Sequence, residues 1–234
     1  RTQPSVAAAS AAVQLDRSAS IPAVTYTRAS AAATLGWVRR GGGLLLLLDH
    51  QPQTRTYAEL TSALGVHPHD GYVARRRHGC WSVGDCCTFA DGAATFMGAD
   101  GPLAATSHAI GRLAFGANKS EVRTFVGCAF PPVASAAPLL VLGSGAGGEY
   151  ASWSTRKNWD FDRPLDRRSV AGWWQGAALR VGAGRVVVMC DQSWPSSAAF
   201  LKADGAGGAA GGIFSAHNAR FAAATFRWLA GELD

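Results

Sequence analysis

Asp49 and His50 follow directly on five consecutive leucines, Leu44 to Leu48. A carboxylate beside an imidazole can orient the ring, raise its basicity and let it activate water or a hydroxyl. A second acidic residue ends another apolar run, where Val186 to Met189 lead through Cys190 to Asp191, with Ser193 two residues further on. Ligands of open α/β sheets bind just outside the carboxyl ends of the strands. The two tips therefore form one candidate site, with His50 as the base and Asp49 or Asp191 as its orienting group. Ser193, His108, Arg112, His217 and Asn218 are the candidates for binding substrate. The plainer reading is that Asp49 caps the turn after it and Asp191 bonds backbone amides, as strand-tip Asp residues often do.

The elements around these residues can be read from apolar spacing. The leucine run has no polar alternation, so both of its faces must be covered, as in a central strand with helices on each side. Before it, Thr27 can cap a helix running to about Arg40, with Ala31, Leu35 and Val38 as one apolar stripe and Gly41 as its left-handed stop. After it, Thr56 and Glu59 have the spacing of a capping box, Tyr57, Leu60 and Leu64 make a stripe, and Gly65 ends the helix. Helix, strand and helix joined by short turns predict an α/β fold, a three-layer sandwich around a mainly parallel sheet.

Further along, 66–107 loses all period and reads as an irregular excursion. Val122 to Phe130 reads as an edge strand and Pro138 to Leu142 as a short buried one. Residues 143–172 read as loop, and 205–212 as a flexible Gly-rich loop. The glycines before Val186 read as a repeat of the opening Gly turn and strand. A last helix is expected from Asn218, its cap, to Leu233, with Ala222, Phe226 and Leu229 in its stripe. Residues 1–26 show no period and form an irregular segment, leaving 27–234 as a single domain.

Composition sets the outer bounds. The net charge of +6 comes almost entirely from Arg, with only three lysines. Arg75, Arg76 and Arg77 are the one dense basic run, and no nucleic-acid motif accompanies them, so they read as a solvated loop. No run approaches the roughly 18 apolar residues of a membrane span. No nucleic-acid or membrane partner is therefore expected, and the compartment is left open. Five irregularly spaced cysteines argue against a disulfide framework.

Sharper motifs fall away on context. Residues 143–148 fit G-x-G-x-x-G, but no helical stripe follows, as a nucleotide site requires. Ser154 and Lys157 fit S-x-x-K without its companion motifs. His67, His69, His78, Cys80, Cys86 and Cys87 lack the repeated spacing of a zinc site. No metal or cofactor is called for.

Three segments carry a resemblance. Residues 37–73 contain a helix, three glycines, the hydrophobic strand and Asp49, His50 and Pro52 as an Asp-His-x-Pro tip. Residues 99–112 contain His108, Ile110, Gly111 and Arg112. Residues 170–193 and the last helix contain Gly172, Trp173, Gln175, Gly176, Ala177, Gly184, Arg185, Val186, Asp191, Asn218, Trp228 and Leu229. In this order they resemble an uncharacterised bacterial family with the flavodoxin-like fold of class I glutamine amidotransferases, and more loosely ThuA-like proteins. That family opens with a further strand, helix and strand, which are not recognisable here. The expectation is truncation or replacement, leaving a sheet edge through which the chain forms a homo-oligomer.

The resemblance implies no glutaminase activity. Asp49 and His50 stand where the amidotransferases keep a nucleophilic Cys, and no Gly-x-Cys-x-Gly occurs. Two functions remain expected: a hydrolase of a small ester, lactone or glycoside-like molecule, or a non-catalytic ligand-binding or interaction module on the same fold.

Overall fold

The computed structural model describes residues 26–77, 80–81, 108–115, 122, 124, 127–142, 149–155, 164–192, 194–195, 199–200, 209–210 and 216–234. In chain order its elements are α1 (Arg28–Arg39), β1 (Gly43–Leu47), a 3-10 turn (Gln53–Tyr57), α2 (Ala58–Ala63), β2 (Tyr72–Arg77), β3 (Cys80–Trp81), α3 (Ala109–Phe115), β4 (Ala136–Val141), β5 (Glu149–Thr155), β6 (Pro164–Ser169), β7 (Trp174–Val181), β8 (Gly184–Met189), β9 (Ala199–Phe200), β10 (Ala209–Ala210) and α4 (Ala216–Leu229). The expected irregular segment 1–26 lies outside the described residues except for Tyr26.

The leucine run is covered on both faces as its lack of polarity demands, but among the described residues β1 is an edge strand of its sheet, not a central one. Leu44, Leu46 and Leu48 pack in one core with Ala31, Leu35 and Val38 of α1 and Leu60 of α2. Leu45 and Leu47 lie against a second core built from Ile110 of α3 and Phe221, Ala222 and Trp228 of α4. β8 alternates in step, with Val186 and Val188 in the first core and Val187 and Met189 in the second. The protein is thus an α/β protein with helices on both sides of a four-stranded sheet. Burying each such side chain contributes about 1.5–3 kcal/mol.

The sheet order is β1-β8-β7-β4. β1 and β8 are parallel, with Leu44 opposite Val186 and Leu47 opposite Met189. The other two pairings are antiparallel, so the sheet is mixed rather than mainly parallel. The reason is the turn at Gly182 and Ala183. Gly182 takes φ 62° and sends the chain straight back along β7 as a hairpin. A parallel neighbour needs a crossover of a dozen or more residues. The glycines before Val186 therefore close a hairpin, not a second helix-to-strand turn. Gly184 also lets α1 sit close, since a Cβ there would lie 1.9 Å from the Val38 carbonyl oxygen.

A second, antiparallel sheet has the order β3-β2-β5-β6. It occupies parts of 66–107 and 143–172, which read as irregular or loop. These strands lack an apolar period because β5 carries Ser152 and Ser154, and Arg167, Arg168 and Ser169 of β6 are exposed. Within the strand expected at 122–130, residues 129 and 130 make single bridges, His69 to Ala129 and Phe130 to Trp174, instead of a ladder.

Local signals fared unevenly. The Thr27 hydroxyl accepts from the Ser30 amide at 3.1 Å, and Gly41 takes φ 110°. The capping box at Thr56 does not form, because the 3-10 turn absorbs Thr56 and Tyr57 precedes α2 without a side-chain cap. α4 starts two residues before Asn218 and ends at Leu229. Its buried face holds Phe221, Ala222, Ala224, Thr225, Trp228 and Leu229, while Phe226 is 40% exposed. Among the described residues, no helix is long and apolar enough to cross a membrane.

Leu46 is 5% exposed in the central core. Leu46→Ala is expected to lower the unfolding free energy by about 2–5 kcal/mol, read as a drop in the urea midpoint; an unchanged midpoint would contradict burial of this face of β1 against α1 and α2.

Candidate functional site

The parallel register of β1 and β8 builds the site. Leu47 lies opposite Met189, and the Leu48 amide donates to the Met189 carbonyl at 2.7 Å. Asp49 and Asp191 each follow two residues beyond the matched pair, at the same end of the sheet. Asp49 is 5% exposed, His50 8%, and Asp191 fully buried. The Gln192 side chain hydrogen-bonds the Asp49 carboxylate, which ties the two tips together.

His50 is held on three sides. Its amide donates to Asp49 Oδ1 at 2.7 Å. Its Nδ1 lies 2.6 Å from the Gln51 carbonyl oxygen. A carbonyl can only accept, so Nδ1 carries a proton, and in the neutral tautomer that satisfies this bond Nε2 is the unprotonated nitrogen. That Nε2 lies 3.8 Å from Asp49 Oδ1. The third support is Tyr72, whose ring stacks on the imidazole with centroids 4.5 Å apart and planes at 22°. The Gln51 carbonyl thus holds Nδ1, and Asp49 lies on the Nε2 side of the ring. Burial holds the Asp49 carboxyl above its ordinary 3.8, against the opposing pulls of the His50 charge, the His50 amide and Gln192.

Residues 127–130 close the end of the sheet. The Cys128 amide donates to the Cys190 carbonyl at 2.8 Å, and the Phe130 amide to the Trp174 carbonyl at 3.0 Å. On the other side, Val73 donates to Gly127 at 2.9 Å and His69 to Ala129 at 2.9 Å. This segment joins the two sheets beside the tip. Only glycine fits at 127, where a Cβ would lie 1.6 Å from the Cys190 oxygen and 3.0 Å from the Asp191 Cβ. Gln175 braces the segment, donating to the Cys128 carbonyl at 3.1 Å and accepting from Thr124 at 3.0 Å. Cys128 and Cys190 are buried and free, and burial pushes the Cys128 thiol well up.

The remaining candidates divide. His108 and Arg112 do not belong to the tip. His108 packs edge-on against Trp228 at 5.1 Å, beside Arg185, at the amino end of β8. Burial, then Arg112, Arg180 and Arg185, lower its pKa to about 4. Arg185 itself caps the carboxyl end of α4, donating to the carbonyls of Trp228 and Leu233 at 2.5 and 2.6 Å. α3 presents His108 to this end because its partner is α4, which runs back along β8. Asn218 lies at the correct end, but its amide donates to the Trp194 carbonyl at 2.9 Å, so it fastens α4 to the chain beyond β8. His217 is in the first turn of α4 at that same end. Ser193 lies outside the described residues.

Two clusters were not foreseen. Tyr72, Gln51 and Gln192 surround His50 and Asp49, and nothing in their spacing marks them. The second cluster lies beside the tip. His69 Nδ1 is 2.6 Å from Ser152 Oγ, and its Nε2 is 3.3 Å from Asp166 Oδ2. Next to it, Asp70 binds Thr54 and Arg55. The spacing of His69 suggests only a metal ligand, and its partners Ser152 and Asp166 lie in stretches whose sequence reads as loop. Among the described residues, no group of three or more His, Cys, Asp or Glu is arranged to hold a metal ion.

A scan against protein-family models finds no match for the chain, and no curated protein matches it.

Asp49 gives a sign-definite test. Folding favours its protonated form, so the stability it contributes is fully present below pH 3.8 and is lost as pH rises through the raised value. Asp49→Asn keeps an oxygen for the His50 amide and removes the charge. Urea midpoints measured across rising pH from 3.8 should fall less in the variant than in the parent; equal slopes would show that Asp49 carries no burial penalty.

Proposed function

We propose that the protein is a hydrolase of a small ester, lactone or glycoside-like molecule, acting at the carboxyl ends of β1 and β8. The observation that carries this reading is the fixed His50 tautomer with Nε2 facing Asp49. Nε2 and Oδ1 are 3.8 Å apart. A water at an ordinary hydrogen-bond distance of about 2.8 Å from each atom fits that span. Nε2 takes the proton as the water oxygen attacks the substrate carbon, and the imidazolium then returns it to the departing oxygen. Asp49 stabilises the transient imidazolium, and Asp191 adds a second carboxyl group at the same tip. Tyr72 and the Gln51 carbonyl keep the ring from turning.

The helices on both sides of the sheet, together with the sequence resemblance, support a three-layer, flavodoxin-like sandwich of the class I glutamine amidotransferase type as the wider frame. Glutaminase chemistry is not part of the proposal. Cys128 and Cys190 are buried, and the Cys128 thiol is disfavoured as a thiolate.

The low exposure of the tip favours a second reading. The His50 side chain is 11% exposed and that of Asp49 6%. A non-catalytic ligand-binding module on the same fold would tolerate such burial more easily than an enzyme. Turnover decides between them. Against a panel of esters, lactones and glycosides, the hydrolase reading expects activity that His50→Ala lowers by about 10²–10⁴-fold. Activity indifferent to that substitution removes His50 as the base, and no turnover by folded protein favours the binding module.

A further inference from the structure

We propose that Ser152, His69 and Asp166 form a second reactive centre, an acyl-accepting serine site for carboxylic esters, distinct from the β1–β8 tip. The geometry fixes the roles. Asp166 can only accept when ionised, so His69 Nε2 carries the proton directed at it, 3.3 Å away. The neutral ring then has an unprotonated Nδ1, which accepts from the Ser152 hydroxyl at 2.6 Å. Hydroxyl to imidazole to carboxylate is the arrangement that activates a serine nucleophile, recognised by roles and distances rather than by sequence order.

Three elements supply the groups. His69 lies three residues before β2, and its amide and carbonyl are fixed by bonds to Ala129 and Gly71. Ser152 lies on β5 opposite Val73 and Arg168, and Asp166 lies on β6 opposite Ser154. Successive strand residues face opposite sides. Ser152 therefore shares the face of Val73, while Tyr72, which stacks on His50, points to the other. The two histidines serve different faces of one sheet. Arg168 donates to Asp166 Oδ2 at 3.1 and 2.5 Å, and its guanidinium, followed by the His69 contact, holds that carboxyl below its ordinary value. Burial, then the Arg168 charge, lower the His69 pKa against Asp166 and Asp70, which favours the neutral ring.

The reaction balances within these groups. Ser152 Oγ forms a bond to the ester carbonyl carbon while its proton moves to His69 Nδ1. The carbon–alkoxide bond breaks and the alcohol leaves with that proton. Water then attacks the acyl-serine by the same route, His69 taking its proton and returning it to Ser152. Ser152 is fully buried and the His69 side chain 11% exposed. Acylation therefore requires an opening on the His69 side, and it should be slow.

A small dialkyl fluorophosphate tests this directly, because it forms a Ser–O–P bond with loss of fluoride and needs no knowledge of the natural ester. Intact mass followed by peptide mapping should show one adduct that accumulates with time on Ser152. It should be absent in Ser152→Ala and at least about a hundredfold slower in His69→Gln. Mapping of the adduct to Ser152 itself separates this centre from the tip. No adduct on Ser152 after prolonged incubation of folded protein overturns the proposal, and so does undiminished labelling of His69→Gln.

Discussion

A strand with no polar face can exist only between two covers, and β1 is such a strand. Alternate leucines point into two different cores, one closed by α1 and α2 and the other by α3 and α4. Slipping β1 by one residue against β8 would exchange the two sets of side chains between cores of different shape. The leucines thus fix the parallel register, and the register puts Asp49 and Asp191 at the same end of the sheet. The position of the tip residues depends on that packing.

The second constraint is the strap at residues 127–130. It bonds Cys190 and Trp174 of the four-stranded sheet on one side, and the run from His69 to Val73 on the other. Tyr72 lies in that run and stacks on His50, while His69 at its start reaches Ser152 and Asp166. One backbone segment therefore holds both histidine clusters in place. Gly127 is where this costs chemical freedom, since any side chain would collide with the Cys190 carbonyl.

What could be read from the sequence was what depends on near neighbours in the chain. The leucine strand, the Thr27 cap, the Gly41 stop and the buried face of α1 follow from local pattern, and so does the pairing of an acidic residue with a histidine at the tip. Strand direction did not follow. Gly182 and Gly184 look like a helix-to-strand turn, yet they close a hairpin, because what precedes them is β7 rather than a helix. His108 was misplaced for a related reason. It is drawn to Trp228 by contacts that form only once α3 and α4 pack together. The polar strands β5 and β6 left no apolar period to detect, so Ser152 and Asp166 went unnoticed beside His69.

The Gln51 carbonyl favours His50 as the Nδ1-protonated tautomer, and the proposed function needs that tautomer because it makes Nε2 the base. Long-range proton–nitrogen NMR of the imidazole ring tests it most directly, with the His50 signals assigned by comparison with His50→Gln. At a pH where the ring is neutral, the expected spectrum has a proton on Nδ1 and a bare Nε2. A neutral ring protonated on Nε2 would contradict the account, because the nitrogen facing Asp49 would then have no lone pair with which to take a proton from water.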